Sequence, residues 1–116
     1  LPHAFEVHVR GLGEDDTWQA LRTSGVKPPP LREVVYLPKQ DALLGLLDGD
    51  HVYALDLATA NWRQLDIELP EGSYGHECSL DYDPVHDVVV ATIPAGFNRP
   101  ILTLLFRYDP RTAKSK

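Results

Sequence analysis

Thr17-Trp18-Gln19-Ala20-Leu21 and Asn61-Trp62-Arg63-Gln64-Leu65 place a tryptophan in similar surroundings twice, 44 residues apart. Tyr36, Pro38 and Asp41 recur 46 residues later as Tyr82, Pro84 and Asp87, and each trio introduces an apolar run, Ala42 to Leu47 and Val88 to Ile93. Further on, Asp56, Thr59 and Ala60 return as Asp109, Thr112 and Ala113 at an offset of 53. Seven residues therefore enter between the markers, and Pro94 to Pro100 is a seven-residue stretch at that place. A period of this size with about four strands signals a repeat architecture, in which each unit buries its apolar faces by stacking on its neighbours.

Working outward from the markers, ten prolines and eight glycines cut the chain into short runs rich in Val, Leu, Ile, Tyr and Thr, the pattern of strands. The runs are Phe5 to Arg10, Trp18 to Thr23, Leu31 to Leu37, Ala42 to Leu47, His51 to Leu57, Trp62 to Ile67, His76 to Tyr82, Val88 to Ile93 and Ile101 to Tyr108. The links Pro38 to Gln40, Asp48 to Asp50 and Pro84 to His86 suit hairpins and are too short for crossover helices. The expected fold class is all-β, in antiparallel four-stranded meanders. A helical turn over Asp16 to Leu21, capped by Asp16, is the competing reading of that segment.

His51 to Trp62 resembles the kelch repeat, in which a strand ending in an aromatic-Asp pair is followed six residues after that Asp by a Trp; Phe106 to Thr112 looks like the same element one unit later. The paired glycine usual in that repeat is missing: only Asp48-Gly49-Asp50 and Ala95-Gly96 stand near its place. Leu55 replaces the aromatic in the first unit, and Ser115 stands where the second would carry Trp. The resemblance implies blades of a kelch-like β-propeller, in the superfamily of the galactose oxidase central domain. Residues 1–23 would be the last two strands of one blade, 31–67 a complete blade, and 76–116 the first three strands of the next. That is fewer blades than a closed ring needs, roughly four to eight. The expectation is an incomplete ring: an excerpt completed by the remaining blades of a parent protein, or a unit that self-associates. The absence of any methionine accords with the first.

In such blades both sheet faces are covered, which explains the unbroken apolar runs around Leu44, Leu46 and Val89. Trp18 and Trp62 are expected to open outermost strands with their rings between blades, each burial contributing about 2 to 3 kcal/mol. Tyr36 and Tyr82 are expected in the same structural core, ending first strands ahead of a proline that costs no ladder hydrogen bond.

Composition narrows the function. Acids outnumber bases 17 to 11, for a formal charge of -6, so nucleic acid and anionic membrane surfaces find no net attraction. No apolar run approaches the ~20 residues of a membrane-spanning helix, so no membrane insertion is expected. A single cysteine, Cys78, allows neither an intrachain disulfide nor a multi-cysteine zinc site. His3, His8, His51, His76 and His86 form no metal-binding pair, and His76 with Cys78 is the only soft-ligand pair at same-face spacing, with a buried structural thiol as the competing reading. No cofactor or metal is expected. Serine-nucleophile elbows, phosphate loops and dinucleotide fingerprints are absent, and none of galactose oxidase's copper ligands carries over. Asp81 with Asp83, and Asp48 with Asp50, read as turn acids rather than a catalytic pair.

A meander sorts its connections to two ends. Residues 24–30, 48–50, 68–75 and 94–100 share one end and are longer and more varied; 38–40, 58–61, 84–86 and 110–113 share the other. Binding in repeat folds favours the varied end, which nominates Tyr74, His76, Glu77, Asn98 and Arg99. The function expected is a non-catalytic scaffold that binds a protein or a glycan. The alternative is part of a propeller enzyme that holds a small polar or sugar ligand in its central channel. Compartment stays open, although similar Tyr-Asp-Pro turns in bacterial secreted proteins incline the reading toward an extracytoplasmic one.

Overall fold

A strand needs alternating or continuous apolar side chains and a turn that reverses the chain at each end, and these two requirements set the architecture in the computed structural model. It describes residues 6–10, 13, 17–46, 51–67, 78–94 and 101–111. Ten strands and no helix occur among them: β1 (His8–Val9), β2 (Gln19–Ala20), β3 (Ser24–Gly25), β4 (Glu33–Leu37), β5 (Ala42–Leu46), β6 (Val52–Asp56), β7 (Asn61–Leu65), β8 (Ser79–Asp83), β9 (Val88–Pro94) and β10 (Ile101–Phe106). The chain is all-β. The helical reading of Asp16 to Leu21 is not realised at Gln19–Ala20, which pairs antiparallel with β1.

The strands form three sheets. β1 and β2 make a two-stranded ladder; β4 to β7 make an antiparallel meander, with β3 added alongside β7; β8, β9 and β10 make a second meander. The turns that open the two meanders are built alike. Pro38 and Pro84 pre-set the turn, and Asp41 and Asp87 take left-handed backbone conformations, φ 50° and 53°, which Asp tolerates better than most residues. Tyr36 Oη donates to Asp41 Oδ1 at 3.1 Å, and Tyr82 Oη donates to Asp87 Oδ1 at 2.6 Å. The next turn in the repeat is also shared: Asp56 Oδ1 accepts from the Ala58 N–H at 3.0 Å, and Asp109 Oδ1 from the Arg111 N–H at 2.9 Å.

β3 is an addition to the expected strand set. Ser24-Gly25 lacks an apolar pattern, yet its backbone runs parallel to β7, with Ser24 N donating to Ala60 O at 2.9 Å and Val26 N to Trp62 O at 3.1 Å. Gly25 is required there: its φ is +85°, and a Cβ would sit 2.1 Å from the Trp62 carbonyl oxygen. β7 is consequently an inner strand of its sheet rather than an outermost one.

The β4–β7 sheet packs one face on the β8–β10 sheet. Strand register puts Leu37, Ala42, Leu44, Leu46, Val52, Ala54 and Leu65 on that face, and they join Cys78, Leu80, Val89, Ala91, Ile93 and Tyr108 in one buried cluster. Tyr82 packs against this cluster half-buried, and Leu80 N donates to Glu33 Oε1 across the junction at 3.3 Å. On the opposite face of the first sheet, Trp62 and its cross-strand neighbour Leu55 are buried. Two residues assigned to the core from the sequence are not in it. Trp18 is 66% exposed, with the Arg10 guanidinium over its ring at 6.0 Å, and Tyr36 is 47% exposed. Trp18 precedes a two-residue strand in a two-stranded sheet, which offers a large ring no layer to lie beneath.

Candidate functional site

The residues nominated at the varied end, Tyr74, His76, Glu77, Asn98 and Arg99, lie outside the described residues, and with them the His76 and Cys78 pair as a possible metal site. Cys78 itself is buried beside the apolar cluster. Among the described residues no group of three or more His, Cys, Asp or Glu side chains is placed to hold a metal ion. Asp81 and Asp83 share the face of β8 turned away from the first sheet. Asp83 is engaged within its own turn, its Oδ2 2.7 Å from His86 Nδ1. That hydrogen bond is the main reason its carboxyl lies below the ordinary value.

The structure instead builds a polar cluster at the opposite end, where the short turns meet. Arg63, on β7, reaches across the sheet junction and donates through Nη2 to Tyr108 Oη at 2.6 Å and to Pro110 O at 3.2 Å, with its guanidinium carbon 5.6 Å from the Tyr108 ring centroid. Tyr108 is buried, so its hydroxyl needs this partner. Beside it Arg111 clasps Asp109 through Nε and Nη2, both at 3.2 Å. The clasp holds the Asp109 carboxyl below the usual carboxylate range and raises the guanidinium. Arg107 Nη2 donates to His86 O at 3.2 Å.

These groups border a cleft of about 430 Å³ lined by Lys39, Gln40, Asp87, Arg107, Tyr108 and Arg111, among others. Asp109 is paired with Arg111 and Asp87 accepts from Tyr82, so beyond that ion pair the lining carries two cationic side chains, Lys39 and Arg107, beside the Asp87 carboxylate. Among the described residues the cluster holds no nucleophile paired with a base and no pair of carboxylates poised for proton transfer. It can hold a ligand by charge and hydrogen bonding. A sequence reading that favours long loops passes over this end. The available signal was the recurrence of Asp56 as Asp109, which marks Arg107 to Arg111 as a structured turn. No family model matches the chain, and no curated protein and no solved structure matches it either.

Proposed function

We propose that the chain is a segment of a kelch-like β-propeller that serves as a non-catalytic scaffold for binding a protein or a glycan. The observation that carries the reading is the order of the sheets along the chain. A two-stranded ladder, a four-stranded meander and a three-stranded meander follow one another, and the two meanders open with the same Tyr-to-Asp turn lock 46 residues apart. Face-to-face packing of those meanders fits blades stacked about an axis.

The varied end, with Tyr74, His76, Glu77, Asn98 and Arg99, is the binding end in this reading. The chain is applied to a glycan array and a peptide array, and each ligand found is retested with variants. Arg99→Ala and Tyr74→Ala weaken binding tenfold or more, whereas Lys39→Ala, at the opposite end, leaves it within twofold. The reverse pattern, or silence across both arrays, overturns the proposal.

A further inference from the structure

The cleft at the short-turn end has walls drawn from both meanders: the turn between β4 and β5 brings Lys39 and Gln40, the turn between β8 and β9 brings Asp87, and the segment after β10 brings Arg107 to Arg111. The sheets that carry these turns pack on each other within the chain, and Arg63 ties them through Tyr108 Oη and Pro110 O. The cleft therefore lies at a junction already formed, not on an outer sheet face. Lys39, Arg107 and Arg111 line it against the carboxylates of Asp87 and Asp109, a local excess of one positive charge. The chain as a whole carries -6, but exposed charges more than about 8 Å away are screened at physiological salt, so the lining decides what enters.

Each lining group has a definite capacity left over. Arg111 and Asp109 are clasped together. Lys39 is exposed and has no hydrogen-bond or ion-pair partner among the described residues. Arg107 spends one of its five N–H groups on His86 O, which holds the guanidinium beside the turn that carries Asp87. Asp87 accepts from Tyr82 Oη on Oδ1, which leaves Oδ2. Gln40 Oε1 is buried with no hydrogen-bond partner. A simple carboxylate or phosphate would satisfy the two cations and be repelled by Asp87, and a simple amine would do the reverse. A ligand that answers both carries two carboxylates and one ammonium on a short frame, and its single net negative charge matches the local excess. We propose that this cleft binds a free acidic α-amino acid, with its carboxylates on Lys39 and Arg107 and its ammonium on Asp87 and the Gln40 carbonyl. Arginine presents the fork that suits a carboxylate, and each of these contacts is charge-assisted. A free amino acid appears on neither a glycan nor a peptide array, so failure here and failure of the loop-end reading are distinguishable.

Amide NMR of the labelled full chain, titrated in turn with L-glutamate, glutarate and L-alanine, tests the proposal. Glutamate gives saturable shifts centred on Lys39, Gln40, Asp87 and Arg107. Glutarate lacks the ammonium and alanine the second carboxylate, so each binds about tenfold or more weakly for want of one charge-assisted contact. Lys39→Ala and Arg107→Ala weaken glutamate by a similar factor, and Lys39→Ala carries the test should Arg107→Ala lose its strand signal. Asp87→Asn retains a residue that tolerates the left-handed turn and an acceptor for Tyr82. It weakens glutamate about tenfold and leaves glutarate unchanged or tighter, a split that mere damage to the cleft would not give. Shifts that fail to saturate by about 20 mM, which is too weak for a site, overturn the proposal. So do equal affinities for glutamate and glutarate, or an Asp87→Asn variant that weakens both.

Discussion

Val52 on β6 and Leu105 on β10 hold the same place in the repeat, 53 residues apart, yet Val52 is 0% exposed and Leu105 67%. Truncating each to alanine measures what the covering sheet contributes. Val52→Ala removes two buried carbons, about 1.6 kcal/mol of transfer free energy at ~0.8 per methylene. The wall of neighbours, Ala54, Leu65 and the second sheet, collapses incompletely, so the cavity left behind brings the total to about 2 to 3 kcal/mol. Leu105→Ala removes three carbons that are one-third covered, so at most about 0.8 kcal/mol is lost, and surface truncations usually cost less. Urea unfolding followed by the fluorescence of Trp62, in dilute solution, should give these two values with unchanged slope. If the Leu105 variant loses as much as the Val52 variant in dilute solution, the outer face is already covered within one chain, and the reasoning from exposure fails. If Val52→Ala costs under about 0.5 kcal/mol, the two meanders do not pack as described.

Two further outcomes follow from the turns and the added strand. The Tyr82 phenol is pushed up to about 12, first by its hydrogen bond to Asp87, then by desolvation and the charges of Asp87 and Asp83. Because the folded value lies above the ordinary 10.0, its contribution to stability is complete below pH 10 and is lost as pH rises through about 12. The tyrosinate absorbance of the wild-type chain minus that of Tyr82→Phe should show a single step near pH 12; a step near 10 contradicts the bond. Gly25→Ala forces a Cβ against the Trp62 carbonyl at φ +85°, costing about 1 to 3 kcal/mol. Hydrogen exchange should show the Val26 amide losing protection while β5 and β6 keep theirs. Equal loss throughout the sheet would mean that β3 is not a local addition.

Most of the strands were legible in the sequence because their signal is local. Val88 to Ile93 and Ala42 to Leu47 are apolar runs bounded by turn residues, and the Tyr-x-Pro-x-x-Asp spacing places the tyrosine hydroxyl within reach of the aspartate that reverses the chain. β3 could not be read, since Ser24-Gly25 is recruited by backbone groups of β7 and no side-chain period advertises that. Trp18 was misassigned for a related reason. A tryptophan in a repeat position is buried only where a neighbouring layer exists, and the two-residue strands β1 and β2 give it none, whereas Trp62 lies in a five-stranded sheet. The turn-end cluster around Arg63 was hidden because it joins residues 45 and 47 positions apart, a spacing visible only once the two meanders are stacked.

That cluster also ties together the junction between the two meanders. Leu55 in the first unit corresponds to Tyr108 in the second, and both are buried, but only Tyr108 adds a hydroxyl that must be paired. Arg63, from the fourth strand of the preceding unit, supplies the donor; its own counterpart one unit earlier is Gln19, and the leucine of the first unit carries no hydroxyl to pair. The two substitutions are matched across the junction, not within either sheet.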